Sequence, residues 1–464
     1  MSAHADFLTS GRRAFTRVVF GIGFCCCAWS QDTRSVTEPA VPAICTSLAA
    51  TLTAERGTLP QEAELRPDTA RIQDALDHCV AGRAVELRAE GAHNAFLTGP
   101  LELKPSVTLV VAAGATLFGT RNPREYDLQP GSCGIVNQDG HGCKPLIHAA
   151  NAPHSGIMGL GVIDGRGGAT LPGQRVTWWD LAQQAKIEDK RQNCPRILVV
   201  DSSDDFTLYG ITLRNSPNFH AIVNRTNGFT VWGIRIDAPA TARNTDGIDP
   251  SSSTNVTIAY SYIRAGDDNI AIKAGKAGPS THITIAHNHF YSGHGMSIGS
   301  ETNGGVSAVR VSDLSIDGAD NGIRIKSNGS RGGLVHDVLY GDVCVRDSPN
   351  PITFDTGYTA AGTVEGNSPP TMRDITLRNV RVSGGGKISF NGYAKDYRVG
   401  VKLDDVLLTD SAVYTYAIHH ADLVFGPGPV NLKPAGEVDS TLEAKSGGGK
   451  PQSCADKFVP FPQE

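Results

Sequence analysis

At 464 residues the chain has room for two or three average domains or for one elongated repeat domain, and its composition points to the second. Glycine is abundant (52 residues), aromatics make up 6%, and β-branched residues come in short runs separated by Asn, Asp, Ser and Gly, the profile of many short strands joined by tight turns. A formal net charge of −5 argues against non-specific nucleic-acid binding, so any grip on a polyanion needs a local basic patch.

The first thirty residues read as an export signal. Arg12, Arg13 and Arg17 precede the apolar run Val18–Trp29, and Ala28-Trp29-Ser30 offers small residues at the cleavage positions. The run is too short for a membrane span. Gly-Arg-Arg-Ala-Phe at 11–15 resembles a twin-arginine signal, which leaves the export route open, and the residues before Cys25–Cys27 make a poor lipid-attachment box. Cleavage removes three arginines and Asp6, taking the mature chain from −5 to −7.

Export changes how the cysteines read. Seven remain: Cys45, Cys79, Cys133, Cys143, Cys194, Cys344 and Cys454. Cys133 and Cys143 bracket a Gly-rich loop suited to a short disulfide, and Cys45 with Cys79 could staple the N-terminal segment. The odd count leaves at least one thiol free, with the state of Cys194, Cys344 and Cys454 open. No Cys or His spacing suggests a metal site.

One helix is predicted, over Thr69–Cys79 (TARIQDALDHC). Trp178-Trp179 could form an aromatic platform, but a packed loop or helix start is the better reading. From Phe206 the chain repeats itself. Phe206-Thr207-Leu208-Tyr209-Gly210-Ile211 returns as Phe229-Thr230-Val231-Trp232-Gly233-Ile234, then as Val256-Thr257-Ile258 and Ile283-Thr284-Ile285, with weaker copies at Val309-Arg310-Val311 and Ile375-Thr376-Leu377. A fixed period with two-residue apolar alternation means stacked β-coils, each too thin to bury its own apolar face. The predicted fold is all-β, a right-handed parallel β-helix solenoid with a short N-terminal helix. It occupies residues 31–425 as one domain, and the Gly/Pro/Ser-rich residues 426–464 form a loosely packed extension.

Residues one coil apart lie on the same side of neighbouring coils, about 4.8 Å from each other. Four clusters recur at near-coil intervals: Asn244-Thr245-Asp246, Asp267-Asp268, Gly293-His294-Gly295 and Arg324-Ile325-Lys326. Three carboxylates, an imidazole and two cations are thus expected on one face. Glycosidic hydrolysis needs such a set: one carboxylic acid protonates the leaving oxygen while another carboxylate activates water. Crowding is expected to raise a carboxyl's pKa and keep the acid protonated. Asp204-Asp205 and Asp404-Asp405 read as surface pairs, and Asp249 as a turn residue or a ligand.

In order and spacing the four clusters resemble the signature of family 28 glycoside hydrolases, the polygalacturonases. The strings Thr241–Pro250 (TARNTDGIDP), Gly293–Glu301 (GHGMSIGSE), Asn215–His220 (NSPNFH) and Val162–Gly168 (VIDGRGG) are similar to the bacterial endo-acting members. The likeness runs from about Asp32 to about Leu408 and is also met by the pairs Cys45/Cys79 and Cys133/Cys143. It implies a pectin-lyase-like solenoid that hydrolyses the α-1,4 bonds of polygalacturonate with inversion. Asp267 would be the general acid, Asp246 and Asp268 would hold and deprotonate water, and His294 would tune the acid. Arg324, Lys326, Tyr358 and Asn244 would contact substrate. The resemblance implies no cofactor or metal, no nucleic-acid or membrane partner, and a secreted monomer. One departure is Asn269, where many relatives carry cysteine at a structural position. Two rivals stand beside this reading: a pectate or pectin lyase cleaving by β-elimination, and an exo-acting galacturonan hydrolase. A non-catalytic adhesin would need aromatic platforms and no crowded carboxylates.

Overall fold

The computed structural model describes residues 31–359, 366–434, 439–443 and 454–463; the predicted export signal lies outside them. The chain winds as a right-handed parallel β-helix. The sequence copies pair in register, Phe206 with Phe229, then Val256, Ile283 and Val309. A copy too irregular to stand out in the sequence, Val338-Leu339-Tyr340, fills the interval between Val309 and Ile375.

One coil face is an eleven-stranded parallel sheet, here the cleft sheet, running from Leu101–Glu102 through Leu198–Asp201, Ala221–Asn224, Ile248–Ser251, Ile270–Ile272, Met296–Ile298 and Asn321–Lys326 to Tyr414–His419. Its inward side chains, among them Ile248, Ile270, Ile298 and Ile325, are fully buried against those of the longer sheet, such as Ile258 and Ile285. Turn polarity is satisfied coil to coil. The amide of Ser203 donates to Thr226 Oγ1 (3.3 Å), that of Thr226 to Ser253 Oγ (3.2 Å), and that of Ser253 to Ser280 Oγ (3.2 Å).

The helix Thr69–His78 forms as predicted and buries Ile72, Ala75 and Leu76 on the first coils. A second helix, Trp178–Ile187, begins at Thr177, whose hydroxyl and backbone exchange hydrogen bonds with Asp180 as a capping box. Its buried face, Trp178, Leu181, Ala182 and Ala185, has helical spacing over ten residues, too short a run to stand out against the strands. Trp178 is buried, so it is a helix start and no platform.

Cys45–Cys79 and Cys133–Cys143 are bonded as expected, Cys344 pairs with Cys454, and Cys194 is the buried free thiol among the described cysteines. The C-terminal region departs from the expected loose extension. Ser440–Glu443 adds a parallel strand to Ala421–Phe425, so the coils continue past residue 425. Beyond the Cys344–Cys454 bond, Phe458 lies under Arg346 (4.2 Å) and Phe461 under Arg264 (4.4 Å), while Lys457 pairs with Asp313. Two arginine–ring contacts and one cystine hold what composition alone made look unstructured. Asp404 and Asp405, read as surface, are half-buried strand residues paired with Arg378 (3.4 Å) and Arg381 (2.8 Å), whereas Asp204 and Asp205 are exposed.

Candidate active site

Strand register assembles the site. Ile248, Ile270 and Met296 are direct partners on successive coils of the cleft sheet. The residues two positions before them, Asp246, Asp268 and His294, therefore stack in one column at the sheet's edge, with Asp267 beside Asp268. Ligating atoms of Asp267, Asp268 and His294 lie within 4.8 Å of one another. Arg324 pairs in register with Ser297, and alternation with buried Ile323 and Ile325 turns Arg324 and Lys326 toward the same edge. All of these predicted residues come together.

The glycines flanking His294 are required by the approach of neighbouring coils. Gly293 has φ 137°, and a Cβ there would sit 2.7 Å from the Asp267 carbonyl. At Gly295 (φ 72°) a Cβ would meet the Asn321 carbonyl at 2.2 Å. Asn269 is buried and donates to the Ile263 and Ser292 carbonyls (3.0 and 3.1 Å) while accepting from the Gly295 amide (2.9 Å). Its role is structural, as expected.

Each carboxylate has its own partners. Asp267 Oδ1 meets His294 Nδ1 at 3.0 Å, and Asn244 Nδ2 reaches Oδ2 at 3.5 Å. Asp268 accepts from Ser297 Oγ (2.7 Å), Lys326 Nζ (2.6 Å) and Arg324 (3.3 Å). Asp246 is buried, its Oδ1 has no hydrogen-bond partner among the described residues, and its Oδ2 lies 3.7 Å from Lys273 Nζ. Lys273 also reaches Asp249 (3.2 Å) and Glu301 (3.8 Å). The cations that balance this acidic cluster are thus supplied by the chain. Tyr358 hydrogen-bonds through its backbone to Ser327 and Asn328, and its ring lies 5.3 Å from the Arg324 guanidinium and 5.2 Å from Lys326 Nζ.

These environments divide the carboxylates in two. Burial, reinforced by the charges of Asp267 and Asp249, pushes Asp246 well above the ordinary carboxylate range. Burial takes Asp249 to about 7 against the pull of Lys273. At Asp267 burial acts upward too, but the hydrogen bond and charge of His294, with Lys326 and Lys273, hold it well below its usual value. Lys326, with Arg324, likewise outweighs burial and lowers Asp268. The expectation that crowding would keep the acid protonated therefore needs correcting. Crowding raises Asp246 and Asp249, while the bond between His294 and Asp267 holds the carboxyl down and, against burial, raises the proton affinity of the imidazole.

The sequence reading had no role for Lys273, Ser297, Gln192 or Glu301. Gln192 Nε2 donates to Asn244 Oδ1 (3.0 Å) and helps to hold the side chain that faces Asp267. Lys273 had a legible signal: Ile270-Ala271-Ile272-Lys273 alternates toward the cleft as Arg324-Ile325-Lys326 does. Asp249, left open between turn and ligand, is fully buried beside Lys273. The column opens on a cleft of about 650 Å³ lined by Phe219, Asn244, Asp267, His294 and Tyr358, among others.

Comparison with known proteins gives concordant matches. Residues 92–422 match the family described as glycosyl hydrolases family 28. The chain is 43% identical over 407 residues to an endo-polygalacturonase of Pectobacterium parmentieri, covering 87% of this chain and 97% of that one. It is 38% identical to a polygalacturonase of Ralstonia solanacearum, covering 92% of each. The solved polygalacturonase of Erwinia carotovora superposes with a TM-score of 0.78 at 42% identity, covering 84% of this chain and 99% of that one.

Proposed function

The chain belongs to family 28 of the glycosyl hydrolases, and on that footing we propose that it is a secreted endo-polygalacturonase acting on the α-1,4 bonds of polygalacturonate by inverting single displacement. The observation that carries the reading is the convergence of Asp246, Asp267, Asp268 and His294 on one sheet edge beside Arg324 and Lys326.

Asp267 protonates the leaving oxygen, and the Nδ1–Oδ1 contact with His294 is the path by which the proton reaches it. A galacturonate carboxylate docking on Lys326 neutralises one of the cations that hold Asp267 down, so substrate binding raises the acid's proton affinity where it is needed. Asp268, pinned by Ser297, Lys326 and Arg324, stays ionised. Asp246 offers the unpartnered Oδ1 to the attacking water, with Lys273 favouring its charged form. Inversion needs acid and base roughly 6.5–9.5 Å apart to admit that water. Tyr358 and Asn244 line the sugar path.

Three disulfides suit an oxidising compartment, which supports export with residues 1–30 as the signal. No helix of the described residues is long and apolar enough to cross a membrane.

The test is a product time course on polygalacturonate. The proposal expects saturated oligomers of falling length with an early collapse of viscosity. Unsaturated products would replace it with β-elimination. Release of only mono- or digalacturonate from the outset would replace it with exo attack.

A further inference from the structure

The catalytic column does not end at Asp246. Ile248 pairs with Ala221, and Ala221 with Leu198, so the positions two residues before them, Phe219 and Arg196, continue the column on the two preceding coils. Two coils place Arg196 about 10 Å beyond Asp246, on the side away from Arg324 and Lys326.

Arg196 is held there but not paired. Its guanidinium packs 5.2 Å from the centre of the Phe219 ring, whose other cationic neighbour is Lys273 Nζ at 5.1 Å. Its Nε is buried without a hydrogen-bond partner among the described residues, and no ion pair engages it there. Several other cations of the site are engaged. Arg324 and Lys326 bond Asp268, Lys273 faces three carboxylates, Arg331 pairs with Glu301 (3.0 Å), and Arg243 donates to the Ala182 carbonyl (3.0 Å). Burial and the absence of an acceptor both work against an arginine, and burial does lower its proton affinity. A guanidinium kept in that state on the wall of a cleft is a fork lacking its carboxylate.

We propose that Arg196 binds the carboxylate of a galacturonate unit on the side of the scissile bond opposite Arg324 and Lys326, and so sets the preference for de-esterified substrate on that side. This rests on the polygalacturonase reading. A carboxylate there accepts from the guanidinium fork while Phe219 keeps the plane upright, and a methyl ester offers no charge to it.

The experiment compares wild type, Arg196→Gln and Arg196→Lys on polygalacturonate and on partly methyl-esterified pectin, with kcat and KM measured across pH. Wild-type activity on polygalacturonate checks the underlying reading independently. For Arg196→Gln the expected result is a KM on polygalacturonate raised about 10- to 100-fold with kcat little changed, and a smaller rise on the esterified polymer. Arg196→Lys, which keeps the charge without the fork, falls between. Arg196 has Asp249, Asp246 and Asp201 as its electrostatic neighbours, so it could instead serve as a counter-charge. An equal loss on both substrates, or a shifted acid limb of kcat with KM unchanged, would overturn the proposal. Should Arg196→Gln not fold, an Arg196→Lys variant with unaltered substrate discrimination would do the same.

Discussion

Lys273 is the sharpest place to test the electrostatics. Its ammonium lies 3.2 Å from Asp249, 3.7 Å from Asp246 and 3.8 Å from Glu301, in a site where burial already works against ionising Asp246. At an effective permittivity near 20, a unit pair at this separation is worth about 4 kcal/mol. Losing it in Lys273→Met would raise the Asp246 pKa by about three pH units if that residue took the whole effect, less as Asp249 and Glu301 share it. The base must be ionised, so raising its pKa moves the acid limb of the activity profile to higher pH. Below that limb kcat/KM falls tenfold per pH unit, giving losses of about 10²–10³ on the acid side and a smaller one above it. Reducing-end assays from acid to neutral pH read this directly, with thermal melting as the fold control and Lys273→Arg restoring most of the profile. An unmoved acid limb in a folded Lys273→Met protein would refute the reasoning.

Other predictions follow from the same contacts. Lys326→Ala removes both a substrate cation and the 2.6 Å bond to Asp268, so KM should rise and kcat fall together, and added salt should weaken substrate binding further in the wild type than in the variant. Replacing Cys344 and Cys454 by serine opens a loop of 110 residues, and denaturant unfolding should report a loss of about 3–5 kcal/mol with activity retained below the transition. His148, bonded to Asp201 (3.1 Å) and Glu102 (3.3 Å), has its pKa raised to about 9. Its contribution is full below the unfolded histidine value and is lost as pH rises through about 9. His148→Ala should therefore cost stability at pH 6, by about 1 kcal/mol for so accessible a pair, and almost none at pH 10.

The solenoid was legible because its repeat is physical: Phe206, Phe229, Val256 and Ile283 had to be interchangeable to stack, so they look alike in sequence. The charged site was legible for a related reason. Coil spacing alone places Asp246, Asp268 and His294 on one column. What stayed hidden depends on register rather than spacing. Arg196 sits in an ordinary strand-edge context, and only the pairing of Leu198 with Ala221, and of Ala221 with Ile248, brings it to the column. The direction of the carboxylate shifts was likewise out of reach, because it turns on which cation each oxygen meets: Lys326 for Asp268, His294 for Asp267 and only the more distant Lys273 for Asp246. The C-terminal segment was misread because composition measures what a peptide does alone, whereas Cys454, Phe458 and Phe461 are held by partners far away in sequence.

The measurement that bears most directly on the central claim is the initial rate of reducing-end release from polygalacturonate by Asp267→Asn, with its melting curve recorded beside the wild type. The account predicts an intact fold and turnover lower by at least about 10²–10⁴. Near wild-type turnover in the folded variant would contradict it and remove Asp267 from the proton-donating role.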